Sequence, residues 1–173
     1  MSTPPAAARP TLHGRDVILR PAEERHLPRL FEILVEPAVA EWWQRQQASD
    51  LLPDPHEGAG FVVEVAEQIA GWAGYYEEND RDYRHAGIDL FLATAYQNRG
   101  LGRDVLRTLA TYLFDGRHHH RLVIDPAVAN ERATRVYEAM GFRRVGVMRQ
   151  YERSPEGVWR DGLLMDMLRG ELR

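Results

Sequence analysis

Two hydrophobic periods alternate along this chain. Val17-Ile18-Leu19-Arg20-Pro21 is a short apolar run that predicts a first strand, and after it the spacing lengthens to that of a helix, with Leu27, Leu30, Phe31 and Leu34 on one face. Pro37 is expected to end that helix, and residues 38–47 to form a second short helix carrying Glu41-Trp42-Trp43. Residues 50–60, with two prolines and two glycines, read as loop. Strands follow at 61–65 and 69–76, joined by a tight turn around Glu67-Gln68. Glu77, Glu78, Asp80 and Asp82, interrupted by Arg81 and Arg84, read as a solvated connection.

Residues 86–92 form the next apolar run. Alternation puts Ile88, Leu90 and Leu92 on one face and Gly87, Asp89 and Phe91 on the other. A helix pattern with Val105, Leu106, Leu109, Ala110 and Leu113 on one face leads to a short strand at 121–124, where Leu122 and Ile124 lie opposite Val123 and Asp125. One helix links the two strands, so they are expected to be parallel neighbours with a right-handed crossover. A second helix starting at Asn130 follows, and 142–148 and 163–168 predict a closing antiparallel pair around Ser154-Pro155-Glu156-Gly157. The fold class is α/β with a mixed sheet.

Composition narrows the picture. A chain of 173 residues that is 44% hydrophobic can bury one core without a second domain. The three prolines of Met1 to Pro10 predict a mobile tail over 1–12 and a single domain over 13–173. A net charge of −4 with no basic face argues against nucleic acid and suits a cationic partner. The lack of cysteine excludes disulfides and a catalytic thiol and fits a reducing compartment. With no apolar leader and no run of membrane-spanning length, the expected location is cytoplasmic, as monomer or homodimer.

The candidate chemistry centres on Gln97-Asn98-Arg99-Gly100-Leu101-Gly102, between a strand and a helix. A glycine turn that opens a helix leaves backbone N–H groups unpartnered at the positive end of the helix dipole, a ready site for phosphate. Arg99 and Arg103 add positive charge at the rim. By itself such a turn is equally well a plain connection. Downstream lie Asp125-Pro126 and then Asn130-Glu131-Arg132-Ala133-Thr134-Arg135-Val136-Tyr137-Glu138-Ala139-Met140-Gly141-Phe142. With both segments in this order, the chain resembles the GNAT superfamily of N-acetyltransferases from about Val17 to Leu168. Gly87-Ile88-Asp89 and Asp125-Pro126 make it most similar to the aminoglycoside 6′-N-acetyltransferases.

The resemblance implies a GNAT acyl-CoA N-acyltransferase fold: a central mixed sheet with two splayed parallel strands and flanking helices. It implies acetyl-CoA as acyl donor, no metal, and a small cationic amine as acceptor, with a protein N-terminus, a ribosomal protein, a polyamine or a siderophore precursor as other acceptors. A non-catalytic acyl-CoA-binding module is a third reading. Pantetheine would lie in the splay against Leu90, Phe91 and Leu92, with an N–H near Leu90 or Phe91 as oxyanion donor. The turn from Gln97 through Asn98, Arg99, Gly100, Leu101 and Gly102 to Arg103 would hold the pyrophosphate, with Asn130, Ala133 and Tyr137 along the arm.

Direct attack of an amine on a thioester needs a deprotonated amine, a stabilised oxyanion and a protonated leaving thiolate. Tyr137 matches the family's general acid, and a phenol of pKa ~10 can donate to a thiolate whose conjugate acid lies near ~8.5. Ala133, Val136, Tyr137 and Met140 also form an apolar stripe, so a packed core ring is the rival reading. Asp89 and Asp125 match acidic acceptor-side groups that orient the amine and take its proton through water. For Asp125, an Asp-Pro turn is the rival reading. Asn130 is expected to cap its helix in either case. Trp42 and Trp43 are candidate walls of the acceptor pocket, at least one of them being ordinary packing. His118-His119-His120 reads as solvent-exposed loop rather than a metal cluster.

Overall fold

In the computed structural model, which describes residues 9–43, 47–54 and 56–173, the alternating periods become eight strands and five α-helices. The strands are β1 (Leu12–His13), β2 (Ile18–Pro21), β3 (Gly58–Val65), β4 (Gln68–Glu78), β5 (His85–Leu92), β6 (Arg121–Ile124), β7 (Arg143–Arg153) and β8 (Trp159–Leu168). The helices are α1 (Leu27–Leu34), α2 (Pro37–Ala40), α3 (Ala48–Leu51), α4 (Leu101–Thr111) and α5 (Glu131–Met140). All strands join one mixed sheet in the order β1-β2-β3-β4-β5-β6-β8-β7.

Helices cover both faces, which is why β3 and β4 are apolar almost without interruption. On one face Val105, Leu106, Leu109 and Leu113 of α4 share a core with Phe61, Ile88, Leu122 and Met165. On the other, Leu30 and Ile33 of α1, Val39 of α2 and Leu51 of α3 pack with Val62, Trp72 and Phe91. Strands β5 and β6 are parallel, as the single helical crossover requires, but they pair only at Ala86↔Leu122 and Gly87↔Val123. Beyond Gly87 the two strands part, and Asp89 to Leu92 have no neighbour on the β6 side.

Several local expectations are corrected. Helix α1 stops at Leu34, and Pro37 starts α2 instead of ending α1, at a position where a missing N–H costs nothing. Helix α2 ends at Ala40, so Trp42 and Trp43 sit in the turn after it, and residues 44–46 of the expected helix lie outside the described residues. The β3–β4 turn is Ala66-Glu67, both left-handed (φ 47 and 63), which matches the twist of a two-residue hairpin. Of the expected tail, residues 1–8 lie outside the described residues, while Leu12 pairs with Leu19.

The reading of Glu77 and His119 as solvated is overturned. The Glu77 side chain is 2% exposed and accepts hydrogen bonds from Arg117 Nη2 at 2.7 Å and Nε at 3.1 Å. His119 Nε2 lies 2.7 Å from Glu77 Oε1, the oxygen that also accepts from Arg117 Nε, and the His119 side chain is fully buried. Arg84 adds bonds to the carbonyls of Arg117 and His118. The polar segment between α4 and β6 is thereby fastened to β4 and to the start of β5.

Candidate functional site

The parting of β5 from β6 opens a cleft of about 720 Å³. Leu90, Phe91 and Leu92 form one side of it, and Asn130, Ala133 and Tyr137 of the α5 segment form the other. Ala93 N–H bonds to Ala70 O on β4. Because backbone groups alternate along an antiparallel strand, Phe91 and Asp89 also face β4, which leaves the N–H of Leu90 turned toward the gap. Leu90, rather than Phe91, offers a free backbone donor there.

The glycine turn closes one end. Gln97 braces it: its Nε2 donates to Leu92 O at 2.8 Å and its Oε1 accepts from Arg132 Nη2 at 3.0 Å, tying turn, β5 and α5 together. Asn98 and Gly100 are left-handed (φ 60 and 77), which bends the chain sharply into α4. No side chain caps α4, and while Arg103 N–H bonds back to Gly100 O, the N–H groups of Leu101 and Gly102 have no intrahelical partner at this end of the cleft. A Cβ added to Gly102 would meet nothing nearer than Leu92 Cδ1 at 3.9 Å, and one added to Gly100 would meet nothing within 4 Å. Packing therefore does not require glycine at 102. Arg103 lines the cleft with Gln97, Asn98, Gly100 and Gly102. Arg99 instead lies over the Tyr96 ring, 5.6 Å from its centroid, and the Leu101 side chain is buried in the core.

A second cleft of about 350 Å³ adjoins the first and shares Trp42, Trp43, Leu90, Asn130 and Tyr137 with it. Its other walls bring together Asp89, Asp125, Tyr151 and Glu152. The Asp89 side chain is open to this cleft, and the protein packed around its carboxyl withdraws it in part from water. That enclosure, with the negative charges of Asp125 and Glu152, pushes its pKa up to about 7. Asp125 accepts a hydrogen bond from the Tyr151 hydroxyl. Tyr137 stands at the boundary of the two clefts, its ring edge-on to Phe142 at 6.0 Å. Burial, and then Asp89 and Asp125, raise the pKa of its phenol well above the ordinary value, so it holds its proton. Asn130 caps α5 by accepting from Ala133 N–H at 3.1 Å.

The two tryptophans divide their roles. Trp43, half-buried, packs edge-on against Phe91 at 5.0 Å and Trp72 at 6.2 Å of the core under α1 and α2, while its exposed part lines both clefts. Trp42 lies under the guanidinium of Arg160, 5.8 Å from its ring centroid. Arg160 also donates to the carbonyls of Glu41 and Trp42 at 3.1 and 2.8 Å and pairs with Glu152 at 2.8 Å. Tyr151, Glu152 and Arg160 were not legible as site residues. The expected strand ended at Met148, and only the longer β7 brings 151 and 152 round to the cleft.

The family model described as an acetyltransferase (GNAT) domain matches residues 16–143. The aminoglycoside N(6′)-acetyltransferases type 1 of Klebsiella pneumoniae and Serratia marcescens are each 31% identical over 155 residues, covering 76% of this chain and 76% of theirs. The solved structure of AAC(6′)-Ib in complex with paromomycin and acetyl-CoA is 28% identical, covers 89% of this chain and 94% of that one, and superposes with a TM-score of 0.73. A spermidine N-acetyltransferase from Vibrio cholerae in complex with CoA and spermine shares the fold at a TM-score of 0.78 and 20% identity, covering 90% of this chain and 97% of that one.

Proposed function

The chain belongs to the GNAT acetyltransferase family, and from that membership we propose that it transfers the acetyl group of acetyl-CoA to a primary amine of a small polycationic acceptor, the 6′-amine of an aminoglycoside. The observation that carries this reading is the position of Tyr137, on the wall shared by a cleft with a glycine cradle and a cleft with three carboxylates. Acetyl-CoA supplies an activated thioester. The open space at Gly102 and the uncapped start of α4 suit its pyrophosphate, and the free edge of β5 suits its extended arm.

Asp89 orients the acceptor's ammonium group and receives its proton, through water, with a pKa matched to that task at neutral pH. Leu90 N–H stabilises the oxygen that becomes negative as the C–N bond forms. Tyr137 gives its proton to the sulfur as the C–S bond breaks, and regains one from solvent. Asp125 and Glu152 hold further ammonium groups, and Trp42 gives the sugar a flat face. Purified protein, acetyl-CoA and a panel of aminoglycosides, polyamines and peptide N-termini, read by thiol release, test the proposal. Efficient turnover of a peptide N-terminus with none of kanamycin-type acceptors would reassign the acceptor.

A further inference from the structure

Strand β7 pairs with β8 at Val147↔Leu163 and Met148↔Gly162, and again at Glu152↔Arg160. Between these pairs Arg149, Gln150 and Tyr151 all stand opposite the single residue Asp161. Gln150 takes a left-handed backbone with φ 50, a region that side chains beyond glycine and asparagine seldom adopt. Its N–H donates to Asp161 Oδ1 at 2.8 Å.

The consequence falls on the next two residues. In an unbroken strand Tyr151 and Glu152 would point to opposite faces. Here both line the smaller cleft. The Tyr151 ring lies over Gly162, where an added Cβ would come within 2.7 Å of its Cδ1, so it shares a face with the neighbouring pair Glu152 and Arg160. From there Tyr151 reaches Asp125, and Glu152 faces the same space.

We propose that Asp161 is a positioning residue for the acceptor: its carboxylate locks the bulge that turns both Tyr151 and Glu152 into the cleft. The proposal rests on the acceptor reading given above. Asp161 is exposed and lines neither cleft, so it acts through β7 alone. Without its oxygen the Gln150 N–H loses its partner and the left-handed turn loses its compensation. The strand then relaxes toward plain alternation, and one of the two side chains leaves the site. The Asp161 carbonyl separately accepts from Val128 N–H at 2.9 Å, a bond that side-chain substitution leaves in place.

Asp161→Ala, Asp161→Asn, and Asp161→Ala in a Tyr151→Phe/Glu152→Ala background test this with kanamycin as acceptor, by steady-state kinetics and by calorimetry of kanamycin binding. Asp161→Ala should raise both the KM and the Kd for kanamycin about tenfold, with kcat and the Kd for acetyl-CoA within about twofold of wild type. Asp161→Asn keeps an oxygen for the Gln150 N–H and should stay within about threefold of wild type. In the Tyr151→Phe/Glu152→Ala background the Asp161→Ala change should add little, because it acts through those side chains. If Asp161→Ala does not fold, Asp161→Ser, whose hydroxyl sits farther from that N–H, is read in its place. Unchanged KM and Kd, an asparagine variant as impaired as the alanine one, or full additivity with the background overturns the inference while kanamycin turnover by wild type stands. A wild-type protein that acetylates no amine overturns the acceptor reading and this inference with it.

Discussion

Glu77 and His119, 42 positions apart in sequence, meet in the interior with Oε1 and Nε2 2.7 Å from each other. Burial alone would raise the Glu77 pKa, but hydrogen bonds from His119 and Arg117 and the charge of Arg117 outweigh it and hold the carboxyl down to about 2. A depressed carboxyl adds stability above its unfolded pKa of about 4.5, and that stability is lost as pH falls toward 2. Glu77→Gln should therefore cost roughly 2–3 kcal/mol at neutral pH, the scale of a lost hydrogen bond to a charged group. Thermal unfolding of both proteins across this range checks it: the wild-type advantage should shrink as pH falls from about 4.5 toward 2.

Gly102→Asp separates ligand binding from folding. The added side chain has open space in front of it, and an acidic residue in the first turn of a helix is electrostatically welcome. The melting temperature should be unchanged or slightly higher. Acetyl-CoA affinity should fall by roughly a hundredfold, because the carboxylate stands where the cradle would receive phosphate. Calorimetry on the folded variant decides it, and wild-type affinity would remove the glycine turn from the donor site.

What the amino-acid order displayed, and what it hid, follows the range of the forces involved. Strand β5, helix α4 and the Asn130 cap of α5 were legible because periodicity and capping are local. So was the parallel relation of β5 and β6, since one helix joins them. The acidic run at Glu77 looked solvated because its partners Arg117 and His119 are brought in only by the sheet. Tyr151 and Glu152 were hidden for another reason: the bulge opposite Asp161 breaks the period of two on which a strand's facing is read. Of Trp42 and Trp43 at least one was expected to be ordinary packing; both line the clefts, Trp42 beneath Arg160 from the far end of the chain and Trp43 packed in addition against Phe91 and Trp72 of the core.

Tyr137→Phe tests the leaving-group role. The ring contact with Phe142 survives the substitution, and among the described residues the Tyr137 hydroxyl has no hydrogen-bond partner to lose. Stability should change little. If the phenol protonates the departing sulfur, kcat should fall by at least about a hundredfold with acetyl-CoA affinity near wild type. A variant with wild-type kcat would make Tyr137 a packing residue only.

The acceptor side is tested by the two aspartates together. Asp89 has its pKa raised to about 7 by enclosure and by the charges of Asp125 and Glu152, so the proton-accepting form grows in as pH rises through 7. The kcat/KM for an aminoglycoside should rise across that range, and Asp89→Asn should remove this limb and lower kcat by roughly a hundredfold. Asp125→Asn has a different signature. Removing a like charge lowers the raised pKa of Asp89, so the limb should move to lower pH. The acceptor KM should increase only modestly, because Asp125 already shares its carboxylate with the Tyr151 hydroxyl. Neither variant should alter acetyl-CoA affinity, since neither aspartate lines the larger cleft. An Asp125→Asn profile that does not move would mean that the two carboxylates do not sense each other, and a limb that survives in Asp89→Asn would mean that the proton leaves the amine by a route that avoids Asp89.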